Sequence, residues 1–483
     1  MPAALSSRVV TNMAGDALRG DEWRLRALSP LDGRYGAQLE PYAAAFSEQA
    51  LVHQRFNVEV AWLEHLASMP QLAELGPLSP SERAALDGWA RDFGGREATA
   101  VKEIERRTNH DVKAVEYYLK RRLTSELGWS PARAEFAHFA ATSEDVNNLA
   151  YARMVRAGLG SAWLPEARAL VDEVRSMALE HAELSMLART HGQPATPTTL
   201  GKELAVFVAR WDRQLEAVAG VAIPGKWAGA TGTLAALVVS YPGLDWMVAV
   251  REFVESMGFS WSPLVTQIEP HDWMAELFDA MSRFGTVLVD FCRDMWSYIS
   301  LGYLRQKVVE SEVGSSTMPH KVNPIDFENA EANAGLAGAV FGHLSAKLPV
   351  SRLQRDLSDS SALRNIGSAF GYSGLAIHAA RRGLGRVTPA PDVLAADLDA
   401  NWEVLTEALQ TVMRRYGAPD AYEQIKAATR GKNLTRSELH AIVTALSVPE
   451  QAKEALSSLT PATYIGLAPE LARLVKGTSQ RNQ

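Results

Sequence analysis

The sequence predicts an all-α protein: three mostly helical domains around a central bundle of long helices. Three observations carry that expectation. Apolar residues recur every three or four positions over long stretches, as in Met281, Phe284, Leu288, Phe291, Met295 and Ile299, the period of one helix face. Strand-like alternation of apolar and polar residues is scarce. Helix-start chemistry also stands where patterns begin: Thr142-Ser143-Glu144-Asp145 offers hydroxyls and then first-turn carboxylates, and Asn323-Pro324 precedes another long pattern.

Taken in order, residues 1–22 show no periodicity and read as a disordered leader. Arg8 and Arg19 raise a targeting peptide, and Asp16, Asp21 and Glu22 weigh against it. Residues 23–131 read as an N-terminal helical domain with loops. There Thr108-Asn109-His110-Asp111 opens a helix whose apolar face is Val112, Val115 and Leu119. Asn109 is its expected N-cap and Asp111 sits in its first turn, which leaves His110 without a capping task. Residues 132–384 read as the central bundle, with long amphipathic stretches over 150–187, 200–221, 271–310 and 324–348. Residues 385–483 read as a C-terminal helical domain, with Trp402, Leu405, Leu409 and Val412 in helical register. The central helices are too long and apolar for a monomer's surface, so a core shared between subunits is expected.

Composition narrows the function. A chain of 483 residues, 47% hydrophobic and 22% charged, is an ordinary globular protein. Its net charge of −7 argues against a general nucleic-acid binder, so any phosphate must be met by a local cluster of cations. Cys292 is the one cysteine and lies on the apolar face 281–299. It reads as a buried core thiol, and a reducing cytoplasm is the expected location. The longest uncharged run, 227–244, is interrupted by Gly229, Gly232, Pro242 and Gly243, a poor membrane span.

Four places carry chemistry. The loop Gly314-Ser315-Ser316-Thr317-Met318-Pro319-His320-Lys321-Val322-Asn323-Pro324 brings two serine hydroxyls, backbone N–H groups, a cation and a helix start together. Asn323 is its expected N-cap and Pro324 the first helical position. Those parts suit a carboxylate, with a serine whose pKa the cation lowers; on composition alone they also suit a polar connector. Thr142-Ser143 offers a second carboxylate site at a helix start, although capping alone accounts for those residues. His191 lies in Thr190-His191-Gly192-Gln193-Pro194, a Gly/Pro-punctuated break between helices, and histidine holds and releases protons near neutral pH. Ser351-Arg352-Leu353-Gln354-Arg355-Asp356 and Ser358 to Arg364 concentrate three arginines with several hydroxyls. That is the best phosphate candidate, set against plain surface pairs with Asp356 and Asp359.

These strings, with Leu28-Ser29-Pro30-Leu31-Asp32-Gly33-Arg34-Tyr35 and Thr266-Gln267-Ile268-Glu269-Pro270-His271-Asp272, resemble the adenylosuccinate lyases in their long bacterial form. That family lies within the fumarase/aspartase superfamily, whose lyases release fumarate by β-elimination. The resemblance runs from about Leu28 to the C-terminus. It implies Ser315 as catalytic base, activated by Lys321, and His191 as the acid that protonates the departing nitrogen. It implies Glu328 as the group that orients His191; as a single residue Glu328 otherwise reads as a solvated helix position. For substrate binding it implies Arg34 and Tyr35 at the phosphate, Asn109, His110 and Asp111 near the leaving group, and Thr142 and Ser143 at the succinyl moiety. Gln267, Asn323, Asn329, Arg355, Ser360 and Arg364 complete the implied substrate contacts. Thr231 stands where the family usually has Val, and His271 reads as structural. No metal or cofactor is implied, because the reaction leaves the redox state unchanged. The implied assembly is a homotetramer with active sites shared between subunits. Argininosuccinate lyase or aspartase chemistry, and an inert helical scaffold, stay as alternatives.

Overall fold

The computed structural model describes residues 22–307, 317–318, 320–431 and 434–480. The expected leader lies outside those residues, except that Glu22 opens a one-turn helix, Glu22–Leu25. Ser315 also lies outside them, with Gly314, Ser316 and Pro319 of its loop.

Among the described residues helices dominate, and the strands form three two-stranded pairings. The helices that matter here are α1 (Glu48–Ala67), α2 (Gly95–Thr108), α3 (Asp111–Glu126), α4 (Ser143–Gly158), α5 (Leu164–Glu180), α6 (Leu200–Gly220), α7 (Asp272–Ser300), α8 (Ile325–Lys347) and α9 (Ile366–Gly385). By contacts the chain forms two compact units. One comprises residues 1–162, 223–270 and 350–375; the other comprises 163–222, 271–349 and 376–483. None of the described helices is long and apolar enough to cross a membrane.

The core of the first unit is organised on α1. Its Phe56, Val58, Trp62, Leu63 and Leu66 are fully buried, each worth roughly 1.5–3 kcal/mol for a large apolar side chain. Trp62 packs on Trp227 and Phe253 at 4.5 and 4.9 Å between ring centroids. The predicted face of α3, Val112, Val115 and Leu119, is buried beside it.

The core of the second unit is the α7–α8 pair with α6. Met281, Phe284, Leu288, Phe291 and Met295 are buried as the helical spacing predicts, and Cys292 is buried with them. Burial pushes the Cys292 thiol far up, so it stays protonated. Trp211 of α6 fits between Phe284 and Phe291. At the head of α6, a Cβ on Gly201 would lie 2.3 Å from the Ala178 carbonyl oxygen, so only glycine permits this approach. The C-terminal helices bury Trp402, Leu405 and Leu409 in a separate cluster, with Val412 packed against it.

Several boundaries differ from the sequence reading. The stretch 150–187 is α4, a π-helical segment Leu159–Trp163, and α5, ending at Glu180; Leu187 belongs to strand β1, Ser185–Thr190. The stretch 271–310 ends as helix at Ser300. The cap of α8 is Pro324, with no side-chain cap bond, so Asn323 stands one residue outside the expected position.

At 109–110 the roles are exchanged. Asn109 adopts the left-handed conformation (φ 51°) that ends α2, which asparagine tolerates. The N-cap of α3 therefore falls on His110, whose Nδ1 accepts from the Lys113 N–H at 3.2 Å.

The largest correction concerns His191. The break between α5 and α6 in which it lies is no irregular loop but an antiparallel hairpin, β1 with β2 (Gln193–Thr199), and His191 occupies its tip. His191 and Gly192 both have positive φ, 54° and 75°, and Thr190 pairs with Gln193 across them. This is the two-residue turn whose twist matches paired strands.

Candidate active site

In the first unit, seven of the sequence-selected residues line one cavity of about 420 Å³: Asn109, His110, Asp111, Ser143, Arg355, Ser360 and Arg364. They come from the α2–α3 junction, the start of α4 and the segment 355–364. Arg364 donates from Nη2 to Asp111 Oδ2 at 2.8 Å and from Nη1 to Glu48 at 3.1 Å. Arg355 donates to Glu144 at 2.9 Å, to Gln267 Oε1 at 2.9 Å and to Ser360 Oγ at 3.1 Å. One of the expected surface pairs, Arg352–Asp356, forms at 3.1 Å. Arg355 and Arg364 instead point their charges to the cavity's own carboxylates.

Burial alone would raise the Asp111 carboxyl, but Arg55, the Val112 N–H and Arg364 outweigh it and hold it below the usual range. Tyr151, also in the lining, is pushed by burial up to about 12 and stays a neutral hydroxyl.

The start of α4 is held from behind. Asp145 and Lys226 are both fully buried and 2.7 Å apart. Asp145 also accepts from the N–H groups of Thr142 (2.9 Å), Ala228 (2.8 Å) and Gly229 (3.1 Å). The loop carrying Thr231 is thereby fixed to the turn that presents Ser143. Gln267 ties in the same loop, donating to the Ala230 carbonyl at 2.8 Å while it accepts from Arg355. Gln267 and Thr142 thus support the cavity without lining it. Arg34 and Tyr35 lie outside the lining, with the exposed guanidinium 5.7 Å from the Tyr35 ring centroid.

The residues implied for proton transfer belong to the second unit. His191 is exposed at the hairpin tip, and Lys321 is exposed within the loop that carries Ser315. Glu328 lies in the first turn of α8 and accepts from Trp296 Nε1 at 3.2 Å. Among the described residues Glu328 and His191 share no hydrogen bond or ion pair within the chain. Asn329 accepts from Asn333 Nδ2 at 2.9 Å through its carbonyl, and Asn323 is half-buried. His271 is buried at the left-handed start of α7, as a structural residue would be.

Sequence reasoning missed Arg55, Asn147 and Tyr151 in the cavity and read Glu144 only as a first-turn carboxylate. Arg55, Asn147 and Tyr151 sit on strongly buried helices, where a polar residue within an apolar pattern carries no local signal; Arg55 is only 2% exposed.

Residues 33–342 match the Lyase family model, and residues 351–465 match that of the adenylosuccinate lyase C-terminal region. The adenylosuccinate lyase of Haemophilus influenzae is 49% identical over 447 residues, covering 92% of this chain and 98% of that protein. That of Escherichia coli K12 is 47% identical over 444 residues, covering 92% and 97%. The chain belongs to the adenylosuccinate lyase family. Two solved structures show the fold: a fumarate lyase from Mesorhizobium sp. BNC1 (TM-score 0.73, 20% identity, 92% of this chain and 98% of that one) and the 3-carboxy-cis,cis-muconate lactonizing enzyme from Pseudomonas putida (0.71, 20%, 96% and 99%). The cavity draws on both matched regions. Asn109, His110, Asp111 and Ser143 fall within the Lyase match, while Arg355, Ser360 and Arg364 fall within the adenylosuccinate lyase C-terminal match.

Proposed function

We propose that this chain cleaves adenylosuccinate to AMP and fumarate, and the succinylated aminoimidazole carboxamide ribotide to its carboxamide ribotide and fumarate, by anti β-elimination. The observation that carries the reading is the convergence of seven residues, chosen from separate motifs, on one cavity rich in arginine and hydroxyl groups. Such a cavity suits a ligand with several anionic groups, each met by a planar guanidinium or a helix start.

Ser315 acts as base on the carbon beside a succinyl carboxylate, and the electron pair left behind is spread into that carboxylate. The C–N bond to the purine then breaks. His191 delivers a proton to the departing nitrogen, and the new double bond completes fumarate. Lys321 and the N–H groups of its loop lower the barrier by stabilising charge that develops only in the transition state, roughly 3–4 kcal/mol per well-placed donor. Proton transfer by each group contributes about 10²–10⁴ in rate. Glu328 orients His191 and charges it. We place that pairing between subunits of a homotetramer in the cytoplasm, with active sites drawing on more than one chain. Arg34, Tyr35, Arg355, Ser360 and Arg364 hold the nucleotide phosphate; Asn109, His110, Asp111, Thr142, Ser143, Gln267, Asn323 and Asn329 hold the remainder.

The test is direct. Purified protein is given adenylosuccinate in chelator-containing buffer, with argininosuccinate, malate and aspartate in parallel, and products are followed by chromatography. AMP and fumarate from adenylosuccinate alone are expected. Turnover of another substrate instead would discard the nucleotide assignment. In the active protein, Ser315→Ala and His191→Asn should each lose at least two decades in kcat while substrate still binds.

A further inference from the structure

Arg55 presents a problem of satisfaction. It is 2% exposed on α1 and lines the cavity. Two of its three nitrogens are engaged: Nε donates to Asn147 Oδ1 at 2.8 Å, and Nη2 pairs with Asp111 Oδ2 at 2.9 Å. Its Nη1 is buried and finds no acceptor among the described residues. A buried charged donor left unmatched is costly, and evolution rarely keeps one without a use.

Position narrows the use. Asn147 and Ser143 lie four residues apart on α4, so they share one face and are just over one turn, roughly 6 Å, apart along the axis. Asn147 holds Arg55 by its Nε, so the guanidinium stands within a turn of the N-terminus of α4. That terminus supplies Ser143 to the same cavity, together with the dipole's positive end. A hydroxyl, a helix start and an idle guanidinium nitrogen make a receptor for a planar, charged group with two acceptor oxygens.

We propose that Arg55 is a substrate-binding residue whose Nη1 donates to a carboxylate of the succinyl group, and to the same carboxylate in fumarate. Asp111 and Asn147 keep its plane oriented. This rests on the reading of the cavity given above, and it assigns Arg55 to the dicarboxylate half of the ligand and not to the phosphate half.

The test separates those halves. In the wild-type enzyme and Arg55→Lys, fumarate and AMP are titrated separately as product inhibitors of adenylosuccinate cleavage. Lysine keeps the charge beside Asp111 but has no second arm to offer. Arg55→Lys should weaken fumarate inhibition about 10- to 100-fold, the effect of losing one charge-assisted hydrogen bond, and leave AMP inhibition within about threefold. Unchanged fumarate inhibition, or equal losses for both ligands, overturns the assignment. Should Arg55→Lys not fold, a crystal structure of the wild-type protein with fumarate decides. A carboxylate oxygen within hydrogen-bond distance of Nη1 supports the proposal, and a water or an empty approach there refutes it. Absence of any adenylosuccinate cleavage by the wild type would count against the function itself, and the crystal experiment would still report on Arg55.

Discussion

Replacing Lys226 by Met removes the cation from a fully buried pair while keeping most of the side-chain volume. The Lys226 ammonium lies 2.7 Å from Asp145, and neither side chain reaches solvent. Losing one partner of a buried pair ordinarily costs about 3–5 kcal/mol, because the other charge stays behind. Here Asp145 would keep three backbone donors, from Thr142, Ala228 and Gly229, which places the expected loss at the lower end, about 3 kcal/mol. That is roughly a hundredfold in the folding equilibrium. The assay is guanidinium unfolding at one fixed protein concentration, since assembly would otherwise move the midpoint. Asp145→Asn and the double variant complete a cycle, with a coupling energy expected above about 1 kcal/mol. A loss under about 1 kcal/mol for Lys226→Met, with no coupling, would refute the view that this pair pins the turn bearing Ser143.

Further outcomes are expected from other sites. Burial alone would lower the His138 imidazole, but the Glu59 carboxylate 2.6 Å away, with Glu116 beyond it and opposed by Lys113, raises it above 6.5. The stabilisation from this pair is therefore fully present below about pH 6.5 and is lost as pH rises through the folded value. His138→Gln should flatten that part of a urea-midpoint profile between pH 5.5 and 8.5, and an unchanged slope would remove His138 from it. Gly201→Ala forces a methyl to within 2.3 Å of the Ala178 carbonyl and should cost on the order of 1–3 kcal/mol, read as a fall in the unfolding midpoint. The Cys292 thiol should resist a disulfide reagent in the native protein and react at once in denaturant; fast native labelling would contradict its burial.

Legibility in the sequence followed how locally each feature is determined. Helix α7 was visible because its buried face repeats every three or four residues, and its α8 partner because apolar spacing and first-turn Asp326 agree. The hairpin at His191 was not. Ser185–Thr190 and Gln193–Thr199 show no clean alternation, since their burial does not alternate either and the register shifts between Met186 and Ala188. The usable signal was the His191-Gly192 pair itself, with β-branched Thr196, Thr198 and Thr199 after it. Asn109 and His110 were exchanged because asparagine ends one helix as readily as it begins the next, and the decision lies in a single φ. Of the cavity, the loop residues were legible as motifs. Arg55 was not, because its role comes from Asn147, 92 residues away.

The cavity meets its ligand already paired. Arg364 is shared between Asp111 and Glu48, Arg355 is held by Glu144 and Arg55 faces Asp111, so apart from the buried Nη1 of Arg55 the cavity's guanidinium charges are already matched by carboxylates. A chloride would have to part a formed couple and give back a single charge. A ligand with several anionic groups displaces several couples together and returns as many contacts as it breaks. The protein's own carboxylates thus behave as tethered competitors, excluding the salts of the surrounding solution while yielding to a molecule of the right multiplicity.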